Sequence, residues 1–304
     1  MKTIAFCFLI YDEIVLEELW YNYFKDVDES KYKIYIHYKL DKPLKYFEKY
    51  KLKNCIETNY ADETLIHAHN ILFKEGLKDD CYKIISLSQS CVPLKPFDYV
   101  YEFLTKDKYS HFNVCPDRQC WPKCERLLGY YSKKVIKKSS NWFILNKPHC
   151  EIVTSMNKNM INIIYSKILS PEEIFFITTL YHNKKEDEIQ KTNNSSNNAT
   201  TFTNWPDMDY KYVFIPKIGD RLPKNYDVIR EEELNYLMNS NCLFGRKFTK
   251  NSYSSFINSK YMNKIIKGEI AKECEFEKQL ESIKEKDGKL YKIMTNIRHL
   301  NSIR

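Results

Sequence analysis

The stretch Thr3-Ile-Ala-Phe-Cys-Phe-Leu-Ile10 is a continuous apolar run of the length of one β-strand. Residues 32–38 read Tyr-Lys-Ile-Tyr-Ile-His-Tyr, an alternation typical of a strand with two environments, and residues 83–87 are a further short apolar run. Between these runs, residues 13–24 and 62–77 place apolar side chains at helical spacing. Strands that alternate with helices predict an α/β fold with a parallel or mostly parallel sheet and covering helices.

The carboxyl ends of these strands are the predicted ligand site, because ligands of such sheets bind beyond that edge. The residues that end the three strands, or directly follow them, are therefore expected to contact a nucleotide. They are Ile10, Tyr11, His37, Tyr38, Ser88 and Gln89.

The composition is that of a folded protein with a positive surface. Of the 304 residues, 43% are hydrophobic, and 48 Lys and Arg against 40 Asp and Glu give a net charge of +8. This charge attracts phosphate groups, but the basic residues are scattered, which disfavours a dedicated nucleic-acid interface. No apolar window of about 18 residues is present, so we expect no integral membrane segment and a cytoplasmic location. The irregular spacing of the ten Cys predicts mostly reduced thiols.

The rest of the chain divides by composition. Residues 156–168 have helical periodicity, and residues 184–204 are polar and of low complexity, which predicts a mobile surface loop. After residue 251 the chain is highly charged with helical period, which predicts a helical appendage. The predicted organisation is one domain over 1–250, with a nucleotide-binding half at 1–105 and an acceptor and phosphate-binding half at 106–250, followed by a helical tail at 251–304.

The segment Ser-Pro-Glu-Glu at residues 170–173 has the pattern of a helix start. Ser170 can cap the helix, Pro171 suits its first position, and Glu173 can reach back as in a capping box. A purely structural Glu173 is the simpler interpretation. The alternative is that a carboxylate at a helix start beside a cleft serves as general base toward a sugar hydroxyl.

The segment Leu-Phe-Gly-Arg-Lys-Phe at residues 243–248 places a basic pair, Arg246 and Lys247, between aromatic residues, and Lys224 lies 23 residues before Lys247. Two lysines that meet in space can neutralise a diphosphate. Solvated surface lysines are the simpler interpretation, because Lys is abundant here.

Trp142 and Trp205 are two of only four Trp in the chain. An exposed aromatic face can hold the apolar side of a sugar ring, whereas core packing is the equally frequent use of such a residue. Both remain candidate acceptor-binding residues.

A metal site is not indicated by the sequence. The spacing of Cys115, Cys120 and Cys124 fits no standard zinc motif, and no fourth ligand is obvious. His67 and His69 lie two apart on a predicted helix and therefore point to different faces.

Six segments in the same order resemble the core-2/I-branching family of β-1,6-N-acetylglucosaminyltransferases, including its plant branch. Four of them are the first strand, the strand at 32–38, Ile-Ser-Leu-Ser-Gln-Ser-Cys-Val-Pro-Leu at 85–94, and Ser-Asn-Trp-Phe at 140–143. The other two are the helix start and the basic segment described above. The resemblance extends from Thr3 to Lys250.

The resemblance implies a GT-A-type fold, inversion at the anomeric carbon, a nucleotide-sugar donor such as UDP-N-acetylglucosamine, and a glycan or glycoprotein acceptor. The family's catalytic base falls on Glu173 and its phosphate-binding Lys on Lys247. A phosphate-binding Arg falls on Lys224, which lacks the planar fork of Arg, and we place Arg246 in the same phosphate-binding set. An acceptor-side Trp falls near Trp205.

The resemblance also implies that no metal is required. A metal-dependent transferase carries an Asp-x-Asp after a central strand, because two carboxylates hold the ion that bridges the diphosphate. Residues 88–93 contain no carboxylate. Side-chain cations would then neutralise the diphosphate.

Three other functions stay open at this point. The same fold can use another donor such as UDP-xylose, or it can bind glycans without catalysis. A basic protein that binds nucleic acid is a third possibility, disfavoured by the dispersed charge.

Overall fold

The computed structural model describes residues 1–121, 123–192, 200–206, 210–215 and 222–268. Its strands and helices are, in chain order, β1 (Ile4–Ile10), α1 (Glu17–Phe24), β2 (Tyr32–Tyr38), α2 (Thr64–Lys78), β3 (Lys83–Ser88), β4 (Val92–Pro93), α3 (Phe97–Lys106), β5 (Ser110–Asn113), β6 (Ile144–Asn146), α4 (Lys147–Ser155), α5 (Lys158–Tyr165), α6 (Glu172–His182), β7 (Ile189–Thr192), β8 (Thr201–Thr203), α7 (Glu231–Asn239), β9 (Phe244–Arg246) and α8 (Tyr253–Ile257). A π-helical turn spans Met262–Ile266.

The central sheet has six strands in the order β2-β1-β3-β6-β5-β7. β1 pairs in parallel with β2 and β3, and β5 pairs in parallel with β7, whereas β6 is antiparallel to both of its neighbours. The predicted α/β class with a mostly parallel sheet is therefore confirmed. Ile10 pairs with Tyr38 and Leu9 with Ser88, so the carboxyl ends of β1, β2 and β3 lie at one edge.

Side chains of β1 alternate between two hydrophobic cores, one on each face of the sheet. Phe6 and Phe8 pack with α1, α3 and α7, whereas Ala5 and Cys7 pack with α2, α4, α5 and α6. The continuous apolar run is explained by this burial on both faces, which is characteristic of strands in parallel sheets. Trp20 is completely buried in the first core, and its indole N–H donates to the carbonyl oxygen of Cys91 at 2.8 Å.

A second, three-stranded sheet has the order β4-β9-β8 and carries the basic segment to the ligand edge. β9 pairs antiparallel with β4 and parallel with β8. The backbone N–H of Phe248 donates to the carbonyl oxygen of Ser90 at 3.2 Å. The end of β9 therefore lies beside the loop that follows β3.

The prediction of a surface loop over residues 184–204 is wrong for its two ends. Residues 189–192 form β7, which pairs with β5, and residues 201–203 form β8, which pairs with β9. Their composition is polar, but backbone pairing with an existing strand edge gives them strand structure that side-chain periodicity does not signal. Residues 193–199 lie outside the described residues.

The packed core continues past residue 250. Phe256, Tyr261 and Ile265 are buried in the first core, and the Tyr261 hydroxyl donates to the carbonyl oxygen of Pro93 at 2.8 Å. The expected division at residue 250 therefore falls inside the packed part of the chain, and the predicted helical tail begins with residues of this core. Residues 269–304 of that predicted tail lie outside the described residues.

Candidate active site

Tyr11, Tyr38 and Gln89 are the predicted nucleotide-binding residues that are accessible at the sheet edge. The backbone N–H of Tyr11 donates to the Gln89 side-chain oxygen at 2.6 Å, and the Tyr11 carbonyl oxygen accepts from Leu40 N–H at 2.7 Å. These bonds join the segments that follow β1, β2 and β3. Tyr11 remains 50% exposed, so one aromatic face is available at the edge.

A cavity of about 270 Å³ opens beside this edge, where the chain leaves β2. The backbone N–H of Tyr38 donates to the Cys55 sulfur at 3.5 Å, and this bond joins the end of β2 to residue 55 in the lining of the cavity. The cavity is lined by Tyr38, Lys39, Leu40, Cys55, Ile56 and Glu57.

His37, Ser88 and Ile10 lie at the same edge, but their side chains are buried. The His37 ring accepts the backbone N–H of Ile56 at 3.0 Å, and burial, with a contribution from His69, lowers its pKa to about 4. The Ser88 hydroxyl lies 3.2 Å from both the Ser90 hydroxyl and the Cys91 sulfur. These residues shape the backbone of the edge, and their side chains face the interior.

Arg246 and Lys247 lie at the end of β9, and neither has an ion-pair partner among the described residues. Burial lowers the pKa of the Arg246 guanidinium to about 10, although Cys91 and Glu173 oppose the shift. Burial and the neighbouring Arg246 lower the pKa of Lys247. Two partly buried cations without a carboxylate in ion-pair contact are costly, so this position favours an anionic ligand.

Lys224 lies on the segment beside Lys247. The backbone N–H of Tyr226 donates to the Lys247 carbonyl oxygen at 2.8 Å, and Lys224 N–H donates to the Asn204 carbonyl oxygen at 2.9 Å. The Lys224 ammonium stands over the Tyr226 ring, 4.2 Å from its centroid, and 3.9 Å from the buried Glu233 carboxylate. The structure thus brings together the segments of the two lysines that the sequence places 23 residues apart.

Glu173 lies in the first turn of α6, and the predicted capping box at this helix start is wrong. Ser170 has a φ of 54°, its side chain makes no cap, and its backbone N–H donates to the Ala61 carbonyl oxygen at 2.9 Å. The Glu173 carboxylate lies 3.0 Å from the Lys138 ammonium and 3.8 Å from that of Lys123. The carboxylate is therefore held in place from outside its own helix.

Lys138 links Glu173 to a thiol. Its ammonium lies 3.0 Å from Glu173 and 3.7 Å from the Cys115 sulfur. Burial disfavours the ammonium, but Glu173 and Cys115 outweigh this effect and raise the pKa of Lys138. The backbone N–H of Ser139 also donates to the Glu173 carbonyl oxygen at 2.8 Å. The helix start is thereby fixed against the segment that contains Trp142.

Trp142 connects this segment to the cations. The Arg246 guanidinium lies 4.3 Å from the centroid of the Trp142 ring, which is cation–π geometry. One face of this ring is therefore covered. Trp205 follows the end of β8 and is 38% exposed, so its ring is the more accessible of the two.

The cysteine and histidine residues considered above have separate environments. The described Cys residues, Cys115, Cys120 and Cys124 among them, are free thiols. His67 contacts Asn162, whereas His69 contacts Ser86, so the two rings point apart as predicted. Among the residues that the structure describes, no group of three or more His, Cys, Asp and Glu side chains could hold a metal ion.

The family comparison matches residues 4–237 to the Core-2/I-Branching enzyme family. This match spans the sheet edge, Glu173 and Lys224. The chain belongs to the Core-2/I-Branching enzyme family. The resemblance predicted from the six sequence segments is confirmed.

Two individual proteins are similar to this member of the family. Glycosyltransferase BC10 of Oryza sativa subsp. japonica is 23% identical over 158 residues, which cover 49% of this chain and 40% of the rice protein. The match therefore spans less than half the length of that relative. A solved structure of the galactosyltransferase LgtC, in complex with donor and acceptor sugar analogues, matches with a TM-score of 0.38 and 10% identity over 62% of this chain and 73% of LgtC.

Within the described residues of this family member, no helix has both the length and the apolar character needed to cross a membrane.

Glu172 is a feature of this site that the sequence did not single out. Its side chain is only 5% exposed, and its Oε1 accepts from Asn141 Nδ2 at 3.1 Å. Burial raises its pKa to about 7, although the hydrogen bond from Asn141 opposes the shift. Both members of the Glu-Glu pair follow Pro171, and the sequence pattern does not indicate which of them faces the interior. The left-handed backbone at Ser170, which precedes the pair, carries no sequence signal either.

Proposed function

We propose that this protein transfers a sugar from a nucleoside-diphosphate sugar to a hydroxyl group of a carbohydrate. The observation that carries the proposal is the pair of partly buried cations, Arg246 and Lys247, which lack an ion-pair partner among the described residues. A diphosphate would supply the missing negative charge. Family membership and the position of this pair beside the ligand edge support the same assignment.

The donor's nucleotide lies, in this proposal, at the ends of β1 to β3. Tyr11 and Tyr38 offer aromatic surface, and Gln89 fixes the loop through its bond to Tyr11. The hydrogen bond from Phe248 N–H to the Ser90 carbonyl oxygen holds the end of β9 beside this edge. The diphosphate of a donor bound there therefore extends toward Arg246 and Lys247. Lys224 is a third cation in this region, and its ammonium lies 3.9 Å from the Glu233 carboxylate.

Glu173 is the proposed general base. Its carboxylate takes the proton of the acceptor hydroxyl while the hydroxyl oxygen forms a bond to the anomeric carbon and the bond to the diphosphate breaks. A single displacement inverts the anomeric centre. The transition state has oxocarbenium character, and negative charge grows on the departing diphosphate. Arg246, Lys247 and Lys224 stabilise that charge, which is the task a divalent metal performs in other transferases.

Trp205 is the proposed platform for the acceptor sugar. Its exposed ring follows β8, the strand next to Arg246, so an acceptor on this face lies close to the cations. Trp142 has a different role, because its ring already stacks against the Arg246 guanidinium. It orients the guanidinium toward the phosphate.

A donor panel tests this proposal. Wild-type protein in EDTA is incubated with radiolabelled UDP-N-acetylglucosamine, UDP-xylose or UDP-glucose and a library of glycans. Transfer of N-acetylglucosamine with an inverted linkage is the expected result. Transfer of xylose would keep the chemistry but change the proposed donor. Binding of glycans without turnover of any nucleotide sugar would contradict the enzyme and support a glycan-binding protein.

A further inference from the structure

The hydrogen-bonded pair of Asn141 and Glu172 contains two buried acceptor atoms without a donor. Glu172 Oε2 and Asn141 Oδ1 are both buried and have no hydrogen-bond partner among the described residues. The other two polar atoms of the pair bond each other, since Asn141 Nδ2 donates to Glu172 Oε1 at 3.1 Å. An unsatisfied buried polar atom is rare in native proteins because it loses its hydrogen bonds to water. Two of them on one hydrogen-bonded pair of side chains therefore call for a common explanation.

The position of the pair points to the acceptor side of the site. Glu172 directly precedes the proposed base Glu173, and Asn141 directly precedes Trp142, whose ring stacks against Arg246. The two chain segments are joined by the bond from Ser139 N–H to the Glu173 carbonyl oxygen, 2.8 Å. The pair is thus fixed to the two segments that carry the base and the cation stack.

We propose that Asn141 and Glu172 form a subsite that binds neighbouring hydroxyl groups of the acceptor sugar beside Glu173. This rests on the proposed function, because it assigns the sugar substrate of the same site. A hydroxyl group can donate to Asn141 Oδ1, which is always an acceptor. It can also donate to Glu172 Oε2 when the carboxyl is ionised or accept from it when protonated. A pair of neighbouring hydroxyls satisfies both atoms in either state.

The subsite also explains why Glu172 is a carboxyl on the buried side of the helix start. Glu172 and Glu173 are adjacent, but Glu173 pairs with Lys138 and Lys123, whereas Glu172 faces an amide. One carboxyl is therefore bound by cations and the other by a neutral group. The first accepts the proton of the reacting hydroxyl, and the second holds the hydroxyls next to it and sets the ring's orientation.

The test separates the sugar subsite from the nucleotide site. Wild type, Glu172→Gln and Asn141→Ala are titrated with UDP by calorimetry. They are then titrated by ligand-observed NMR with methyl β-glycosides of galactose, glucose, xylose and N-acetylgalactosamine. Asn146→Ala serves as a matched control, because Asn146 is a buried Asn at the opposite end of β3 that caps α4. Thermal melts of every variant accompany the titrations.

We expect UDP affinity to stay unchanged in both variants. Affinity for the bound glycoside should fall about ten- to hundredfold in Glu172→Gln, the effect of losing a hydrogen bond to a charged group, and about three- to tenfold in Asn141→Ala, where the lost acceptor is neutral. Asn146→Ala should melt at a lower temperature and bind the glycoside like wild type. Monodeoxy glycosides then identify the hydroxyls, because wild type will discriminate against one of them and Glu172→Gln will not.

Three results would overturn the subsite. One is glycoside affinity in Glu172→Gln and Asn141→Ala that lies within twofold of wild type, as expected if only water fills the pair. Another is equal discrimination among deoxy glycosides by wild type and Glu172→Gln. The third is a wild type that binds UDP and none of the glycosides. Failure of the proposed function gives a different result, because the wild type would then not bind UDP. The glycoside titrations of wild type and variants would still test the subsite in that case.

Discussion

Replacing Glu173 with Gln tests the proposed base, because it keeps the side-chain shape and removes the charge. The loss of a general base lowers the transfer rate by about 10²- to 10⁴-fold. The structure adds a second effect, since Lys138 is 16% exposed and lies 3.0 Å from the carboxylate. Without the negative charge the ammonium keeps only a neutral amide oxygen and the Cys115 sulfur as partners, which costs roughly 1–3 kcal/mol of unfolding free energy. The variant therefore stays folded but melts at a lower temperature.

The assay measures initial rates of radiolabel transfer at saturating donor, together with UDP affinity and thermal melts. Glu188→Gln is the matched control, because Glu188 also pairs with a lysine, at 2.7 Å to Lys185, and lies outside the site. UDP affinity should match wild type in both variants, and only Glu173→Gln should lose the rate. A Glu173→Gln rate within threefold of wild type, with normal UDP affinity, would refute Glu173 as the base.

Further predictions concern pH, the cation stack and the core. Glu172 has a pKa raised from 4.5 to about 7, so the folded state binds the extra proton, and between pH 4.5 and pH 7.5 wild type should lose about 3 kcal/mol of unfolding free energy relative to Glu172→Gln; denaturant titrations of both proteins at both pH values check this, and an equal change in the two proteins would contradict it. Trp142→Ala should weaken UDP binding about two- to thirtyfold by releasing Arg246, and Trp142→Phe should restore part of it; calorimetry that shows equal affinity in Trp142→Ala would argue against the stack. Tyr261→Ala should lower the unfolding free energy by about 3–5 kcal/mol, because the ring is buried and its hydroxyl donates to the Pro93 carbonyl oxygen; a loss under about 1 kcal/mol in denaturant titration would place residue 261 outside the core.

The sheet edge formed by the carboxyl ends of β1, β2 and β3 could be predicted from sequence because these strands are largely buried on both faces. Continuous apolar runs such as residues 4–10 are typical of strands buried on both faces, and their alternation with helical periods favours a parallel arrangement. The position of the basic segment at 243–248 beside the loop after β3, in contrast, was not predicted, because it depends on pairing between β9 and β4.

Other features could not be predicted because backbone geometry or distant contacts determine them. β7 comes from a polar stretch and exists through pairing with β5. Ser170 takes a left-handed backbone that removes the expected cap, and Glu173 turns instead to Lys138, which is 35 residues earlier in the chain. Glu172 is buried and contacts Asn141, which is distant in the chain, so no local pattern distinguishes it from its neighbour.

The cations at the end of β9 bind the donor's diphosphate in our proposal, and a UDP titration puts this claim to the test. Wild type, Lys247→Met and Lys250→Met are titrated in EDTA; Lys250 is the control, because it is 66% exposed and already paired with Glu13. We predict that wild type binds UDP in EDTA, that Lys247→Met weakens this binding by about ten- to hundredfold, and that Lys250→Met leaves it unchanged. Equal UDP affinity in wild type and Lys247→Met, or binding by wild type only after a divalent metal is added, would contradict the claim.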